Sequence, residues 1–264
     1  MSPVLIGTAI AVHDGHVRAL PGVLALVVGV ALQIGVNYSN DYSDFRRGAD
    51  TPQRVGPPRA AASGVIKPSA VRNAAFAAFG VAMVAGLVLS LLTNPWLIAV
   101  GAACVAAGWL YTGGPRPYGY AGFGEVFVFV FFGLVAAVGT VYVHELRVTA
   151  ESWYAGIACG LLASAILGLN NLRDVETDRA AGKRTLAVII GRDAARPVLV
   201  ALVAVAFALA FRAEHLLVAL AVPPAVAALL TTRSTAPPVL IRGLRRMAAT
   251  EMVFALLWAL SLLL

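Results

Sequence analysis

Residues 19–44 read ALPGVLALVVGVALQIGVNYSNDYSD, an apolar run that passes directly into a stretch of amides and acids. The run carries no charged residue before Asp41. We place a span at 19–40, which is long enough to cross a hydrocarbon core of about 30 Å as a helix. The segment therefore predicts a membrane helix that ends in carboxylates.

The whole chain has the same character. Of its 264 residues, 60% are hydrophobic and 12% are charged, and the mean hydropathy is +0.84. Soluble domains are about 45–50% apolar and about 25% charged, so these values exclude an ordinary soluble domain, a disordered chain and a coiled coil. Two cysteines inside apolar runs are too few for a disulfide framework or a thiolate metal site.

Apolar runs of helical length can be counted along the chain. They predict an all-α integral membrane protein with about nine transmembrane helices in a single domain, residues 1–264. The expected spans are 2–12, 19–40, 69–92, 95–112, 122–143, 153–171, 194–212, 214–231 and 249–264.

Basic residues are distributed unequally between the two sides of this topology. Seventeen of the 20 Lys and Arg residues flank or lie in the loops at 41–68, 113–121, 172–193 and 232–248. The positive-inside rule places that side in the cytoplasm. The net charge of +7 does not indicate nucleic-acid binding, because the basic residues lie in loops between apolar runs and form no basic stripe.

Two polar motifs lie at the cytoplasmic ends of the second and sixth spans. Each has an asparagine, an aspartate four residues later and another acid within a further turn: Asn37, Asp41 and Asp44, and then Asn170, Asp174 and Asp178. On a helix these spacings place the groups on one face. We expect the two helices to pack together and to bring four carboxylates and two amides into one cluster.

Four carboxylates at a membrane surface repel one another unless cations occupy the cluster. Oxygen ligands without His or Cys indicate Mg²⁺, which keeps positions open for water and substrate phosphate. Nearby basic residues, among them Arg59, Lys183 and Arg184, suit a phosphate group. The motifs therefore predict a site for a metal-bound diphosphate.

Other polar features are weaker. The loop from Tyr111 to Tyr120 is rich in turns, and on residue chemistry alone an interfacial aromatic belt is favoured over a binding loop. Glu125 begins the fifth span, where it suits the helix dipole or a substrate contact. An ion-coupled transporter is a second reading of intramembrane acids, but transporters carry their ion sites near the midplane and these acids gather at one face.

At these residues the chain resembles the UbiA-type intramembrane prenyltransferases, and within them the branch that prenylates 1,4-dihydroxy-2-naphthoate. The acids at Asp174 and Asp178 match the family's second motif, whereas in the first motif the acid falls at Asp44 and Phe45 occupies its usual position. The similarity continues through 48–50, Gly56-Pro57-Pro58-Arg59, the loop from Tyr111 to Tyr120, Gly124-Glu125 and Gly182-Lys183-Arg184-Thr185.

The resemblance implies a nine-helix bundle around a central cavity in a bacterial plasma membrane. It implies Mg²⁺-dependent transfer of a polyprenyl group from polyprenyl diphosphate to the naphthoate, with loss of CO₂ and diphosphate, to give demethylmenaquinone. The four aspartates would hold the metal, and the acceptor would lie near Tyr111, Tyr118 and Glu125. Other acceptors, namely 4-hydroxybenzoate, homogentisate and a lipid precursor, share the diphosphate half of this reaction.

Overall fold

The computed structural model describes residues 1–49 and 59–264, so the predicted similarity at 50 and at 56–58 lies outside the described residues. Within these ranges the chain is helical, without β-strands. The helices are α1 (Ser2–His13), α2 (Ala19–Arg46), α3 (Pro68–Leu92), α4 (Leu97–Leu110), α5 (Gly124–Glu145), α6 (Ala150–Ala180), α7 (Leu186–Arg212), α8 (Leu216–Arg233) and α9 (Pro237–Leu263).

The predicted fold class is confirmed. In the described ranges, seven helices are long and apolar enough to cross a membrane, and α1 and α4 are shorter apolar helices of 12 and 14 residues. Several helices continue beyond the predicted spans. Both α2 and α6 extend through their acidic motifs, to Arg46 and Ala180, because hydropathy marks the lipid-embedded part of a helix and not its hydrogen-bonded end.

Helix α6 lies at the centre of the bundle. It packs against α1, α5, α7 and α9, and its residues Leu162, Leu169 and Leu172 are fully buried. On the outside of the bundle, large apolar side chains such as Val84 on α3 and Leu220 on α8 are exposed. An apolar exterior of this kind suits a hydrocarbon surrounding.

Glycines allow α5 to lie directly on α6. The middle of α5, Phe129–Val135, is a π-helical segment, and a Cβ added at Gly133 in this segment would lie 2.4 Å from the Cα of Gly160. A Cβ at Gly160 would in turn lie 2.7 Å from the carbonyl oxygen of Phe129. Small residues permit such backbone contact between membrane helices. The close approach fixes the position of the π-helical segment, which forms part of the cavity described below.

We expect Gly133→Ala to lower the thermal unfolding midpoint by several degrees, because the added methyl group would collide with backbone atoms that cannot rotate away. Gly139→Ala is the matched control, since nothing lies within 4 Å of a Cβ added at this position on the same helix. Unfolding in detergent, followed by intrinsic fluorescence, measures both variants. Equal midpoints would contradict the packing argument.

Candidate active site

The two acidic motifs line one cavity of about 670 Å³. Both motifs are helical throughout, so the predicted spacing places their side chains on one face of α2 and one face of α6. Predicted site residues on the cavity wall are Asn37, Asp41, Asp44, Arg59, Tyr111, Asn170, Asp174, Asp178 and Lys183. The structure thus brings together nine of the twelve predicted site residues.

The cavity wall changes from polar to apolar along α6. Asp178 and Asp174 lie near the end of the helix, whereas Ile166 and Ala163 line the cavity farther back. At 1.5 Å per residue, Asp178 and Ala163 are about 22 Å apart along the axis. Phe132, from the π-helical segment of α5, extends the apolar wall. Along this face of α6 the cavity wall therefore changes from charged, at the end that we call the mouth, to apolar, and Gln33 and Glu251 add polar groups elsewhere on the wall.

Asp44 has three side-chain partners among the residues that the structure describes. One carboxylate oxygen accepts a hydrogen bond from the Tyr120 hydroxyl at 2.8 Å, and the other lies 3.0 Å from Lys183 Nζ. A guanidinium nitrogen of Arg59 lies 3.9 Å from the same second oxygen. The Asp44 side chain is buried, so these partners replace the water that would otherwise solvate its charge.

Asp41 binds backbone groups just after residue 59, where the described chain resumes. Its two carboxylate oxygens accept hydrogen bonds from the backbone N–H groups of Ala60 and Ala61, at 2.8 and 3.1 Å. Each oxygen keeps a second lone pair for another ligand. Asp41 therefore positions the neighbouring Arg59 at the cavity in addition to its predicted role as a metal ligand, which stays a prediction.

The acids of α6 are arranged differently. Asp174 accepts two hydrogen bonds from the guanidinium of Arg173, at 2.7 and 2.5 Å. Asp178 lies on the cavity wall and interacts electrostatically with Lys183, Asp174 and Asp44.

The expected single cluster of four carboxylates is not what the structure shows. In residues 1–49 and 59–264, no three Asp, Glu, His or Cys side chains are grouped so that they could hold one metal ion. The reason is that protein donors already hold these acids: Lys183 binds Asp44, Arg173 binds Asp174, and backbone N–H groups bind Asp41. The acids surround the cavity instead of meeting at one point.

Of the two predicted tyrosines in the loop, one lines the cavity. Tyr111 lines the cavity, but the Tyr118 hydroxyl donates to the Ala107 carbonyl at 2.8 Å and its ring stacks on Phe127 with centroids 3.9 Å apart. This ring packs α4 against α5, and the predicted role of Tyr118 in substrate binding stays a prediction. Tyr120 lines the cavity, whereas Tyr118 does not.

Tyr120 is a site residue that the sequence reasoning missed. Burial, and then the adjacent charge of Asp44, raise the pKa of the Tyr120 hydroxyl, so that it remains a hydrogen-bond donor at neutral and moderately alkaline pH. Lys183 Nζ also lies 4.8 Å from the centroid of its ring. The three tyrosines of the loop were a signal for this position, but their spacing did not indicate which ring faces inward.

Glu125 lies behind the cavity wall. Its carboxylate accepts a hydrogen bond from the Asn171 side-chain amide at 2.9 Å, and it is Asn171 that lines the cavity. The predicted contact of Glu125 with substrate stays a prediction. Because Glu125 holds the NH₂ group of Asn171, it orients that amide and supports the polar part of the wall.

In residues 183–185, the segment after α6, the first and third residues line the cavity and the second is exposed to solvent. Gly182, with φ of +73°, ends the helix, and the backbone N–H of Arg184 donates to the Tyr120 carbonyl at 3.0 Å. Lys183 and Thr185 line the cavity, whereas Arg184 is exposed and does not. The structure thus places Arg184 away from the cavity, and its predicted role in phosphate binding stays a prediction.

Comparison with known proteins adds the family. A sequence profile described as the UbiA prenyltransferase family matches residues 1–262. The chain belongs to the UbiA prenyltransferase family. The predicted resemblance is thus confirmed, and the match covers both acidic motifs.

Within the UbiA family, the chain is similar to proteins named 1,4-dihydroxy-2-naphthoate octaprenyltransferase. It is 50% identical to the one from Mycobacterium tuberculosis over 211 residues, which are 80% of this chain and 72% of that protein. It is 38% identical to the one from Escherichia coli over 199 residues, which are 73% of this chain and 65% of that protein. The chain thus spans about two thirds of the length of these relatives.

Solved structures show the UbiA fold at low sequence identity. A digeranylgeranylglyceryl phosphate synthase superposes with a TM-score of 0.63 at 16% identity, covering 99% of this chain and 90% of that chain. A UbiA homologue from Archaeoglobus fulgidus, bound to DMAPP and Mg²⁺, superposes with a TM-score of 0.57 at 16% identity, covering 99% and 93%. These structures establish the architecture.

The alternation at 183–185 predicts unequal effects for two adjacent cations. Lys183→Ala should weaken binding of inorganic pyrophosphate, measured by calorimetry with Mg²⁺ present, about tenfold or more, since it removes a partly buried charge from the cavity wall. Arg184→Ala should change the affinity less than about twofold, because this side chain is exposed to solvent. A larger loss for Arg184→Ala than for Lys183→Ala would contradict the assignment.

Proposed function

We propose that this protein transfers a polyprenyl group from polyprenyl diphosphate to 1,4-dihydroxy-2-naphthoate, with loss of CO₂ and diphosphate, to give demethylmenaquinol and, on oxidation, demethylmenaquinone. The observation that carries the proposal is one cavity with carboxylates and cations at its mouth and an apolar wall behind them. The names of the relatives support the choice of acceptor.

The cavity mouth suits the diphosphate end of the donor. Lys183, Arg59 and Arg173 are cations on its wall. The first two approach Asp44, and Arg173 pairs with Asp174. A diphosphate carries several negative charges, so it can bind these cations in place of Asp44 and Asp174 while metal ions neutralise the acids. Arginine and lysine donors fixed in a partly buried site stabilise the charge that develops on a departing diphosphate.

The donor set fits Mg²⁺. Besides its cations, the cavity is lined by carboxylates, amides and hydroxyls, whose oxygens are the ligands that this hard cation prefers. Mg²⁺ is commonly held by one or two carboxylates together with substrate phosphates, so no group of three acids is required. Asp41 and Asp44 on α2, and Asp174 and Asp178 on α6, would hold it. When bound, the metal supplies neutralisation of the diphosphate.

The apolar wall suits the hydrocarbon chain of the donor and the allylic cation formed from it. Ala163, Ile166 and Leu167 of α6, with Phe132 of α5, surround the hydrocarbon part of the donor and exclude water. Water exclusion matters because breaking the carbon–oxygen bond, with its electron pair leaving on diphosphate, produces an allylic cation that water would capture.

The acceptor ring then forms the new carbon–carbon bond. Its two hydroxyl groups make the naphthoate ring electron-rich, so the ring carbon that bears the carboxylate attacks the allylic carbon. Loss of CO₂ returns the electron pair of the carboxyl bond to the ring and restores aromaticity. Tyr111 and Asn171, which lie on the wall between the charged mouth and the apolar part, are placed to contact this ring.

The distribution of basic residues supports a plasma-membrane location with the site on the cytoplasmic side. The basic loops and both acidic motifs belong to one side of the bundle, which the positive-inside rule places in the cytoplasm of a bacterial cell, with the spans in the plasma membrane. This side is where soluble dihydroxynaphthoate would enter.

Purified protein supplied with Mg²⁺ and a polyprenyl diphosphate should prenylate 1,4-dihydroxy-2-naphthoate, as measured by mass spectrometry of the extracted product. A parallel reaction with 4-hydroxybenzoate is the control. Product from the naphthoate alone is the expected result. Product from hydroxybenzoate alone would retain the reaction type and overturn the acceptor, and product from neither acceptor would overturn the proposed function.

Asp174→Asn should reduce this turnover about 100-fold or more, because the substitution removes a charge needed for the metal-bound diphosphate. Asp193→Asn is the matched control and should leave turnover unchanged, since the Asp193 side chain is 97% exposed and pairs with Arg196. Initial rates, with equal amounts of folded protein, measure both variants. Wild-type activity in EDTA, or from Asp174→Asn, would contradict the metal assignment.

A further inference from the structure

Thr185 carries a buried hydroxyl that the fold leaves unused. The residue is 5% exposed and lines the cavity, and its Oγ1 atom forms no hydrogen bond with any described residue. A hydroxyl in such a position loses its contacts with water and gains none from the protein, which is unfavourable. An unpartnered donor on a residue that lines a cavity indicates a ligand.

Helix capping does not account for this hydroxyl. Thr185 is the residue before the first turn of α7, where a threonine usually accepts a hydrogen bond from a nearby backbone N–H. Here the side chain makes no such bond. The backbone of Thr185 is extended, with φ of −62° and ψ of 162°, as at an ordinary N-cap, so the capping bond is missing because of the side-chain orientation and not because of the backbone.

The position of Thr185 indicates which ligand it meets. It lies two residues after Lys183, on the same inward side of the segment, and Lys183 binds Asp44. The hydrogen bond from the Arg184 N–H to the Tyr120 carbonyl fixes this segment against the tyrosine loop. The hydroxyl therefore belongs to the charged mouth of the cavity and not to its apolar part.

We propose that Thr185 is a positioning residue whose hydroxyl donates a hydrogen bond to a diphosphate oxygen of the prenyl donor. The inference rests on the proposed function for the identity of the donor. An anionic oxygen is the acceptor that the hydroxyl lacks, and both the diphosphate and the carboxylate of the acceptor ring carry one. Proximity to Lys183 assigns the bond to the diphosphate.

Binding of inorganic pyrophosphate in the presence of Mg²⁺ tests the proposal without requiring turnover. Thr185→Val keeps the shape of the side chain and removes the donor, so calorimetry should show about tenfold weaker binding, the range expected for a hydrogen bond to a charged group. Thr185→Ser restores the hydroxyl and should recover most of the affinity. In turnover, KM for the prenyl diphosphate should rise in Thr185→Val while KM for the naphthoate stays constant.

Thr140→Val is the matched control. Thr140 is also buried, but its hydroxyl donates to the Ala136 carbonyl within α5 and it does not line the cavity. This variant should bind pyrophosphate like the wild type.

Wild-type affinity in Thr185→Val, or a loss that Thr185→Ser does not restore, would overturn the proposal. A rise in KM for the naphthoate alone would assign the hydroxyl to the acceptor's carboxylate instead and would also overturn it. If the wild-type protein binds pyrophosphate but does not prenylate the naphthoate, the proposed function fails while the pyrophosphate comparison still decides the role of Thr185.

Discussion

The carboxylate of Asp44 connects the parts of the chain that form the site. It joins the end of α2 to the tyrosine loop through Tyr120, to the segment after α6 through Lys183, and to Arg59 beyond the undescribed residues. A buried carboxylate requires such partners, because isolation in a low-dielectric site is costly. These contacts help to hold the tyrosine loop and the segment after α6 over the cavity.

The membrane imposes the complementary constraint. Charged groups are costly at the centre of a bilayer, so the acids and cations gather where α2 and α6 reach the surface. Behind them, the close contact of Gly133 with Gly160 brings α5 against α6 and completes an apolar wall. A substrate with a diphosphate at one end and a hydrocarbon chain at the other matches this gradient.

Most of the fold follows from the sequence, and so does the placement of each acidic motif on one face of its helix. Hydropathy predicts the helices, and the 3.6-residue period predicts that Asp41 and Asp44, or Asp174 and Asp178, share a face, because both effects are local. The loops do not follow from local rules. Whether Tyr118 or Tyr120, and whether Arg184 or Thr185, faces the cavity depends on the hydrogen bond between Arg184 and Tyr120, which joins segments distant in sequence.

The distance between the carboxylates was also beyond sequence reasoning. Repulsion between acids predicts a cation but does not show which cation, and in this structure Lys183 and Arg173 neutralise two of them. A diphosphate with metal ions would exchange these partners. The acids and cations of the site therefore surround a cavity. The charges of the diphosphate and its metal ions would balance the charges of these side chains.

A structure of the protein with Mn²⁺ and a farnesyl thiolodiphosphate, in which anomalous scattering locates the metal, tests this account most directly. The account predicts Mn²⁺ bound by carboxylates from both α2 and α6, with the diphosphate beside Lys183 and the farnesyl chain along Phe132 and Ile166. Metal and diphosphate located outside the cavity would contradict it.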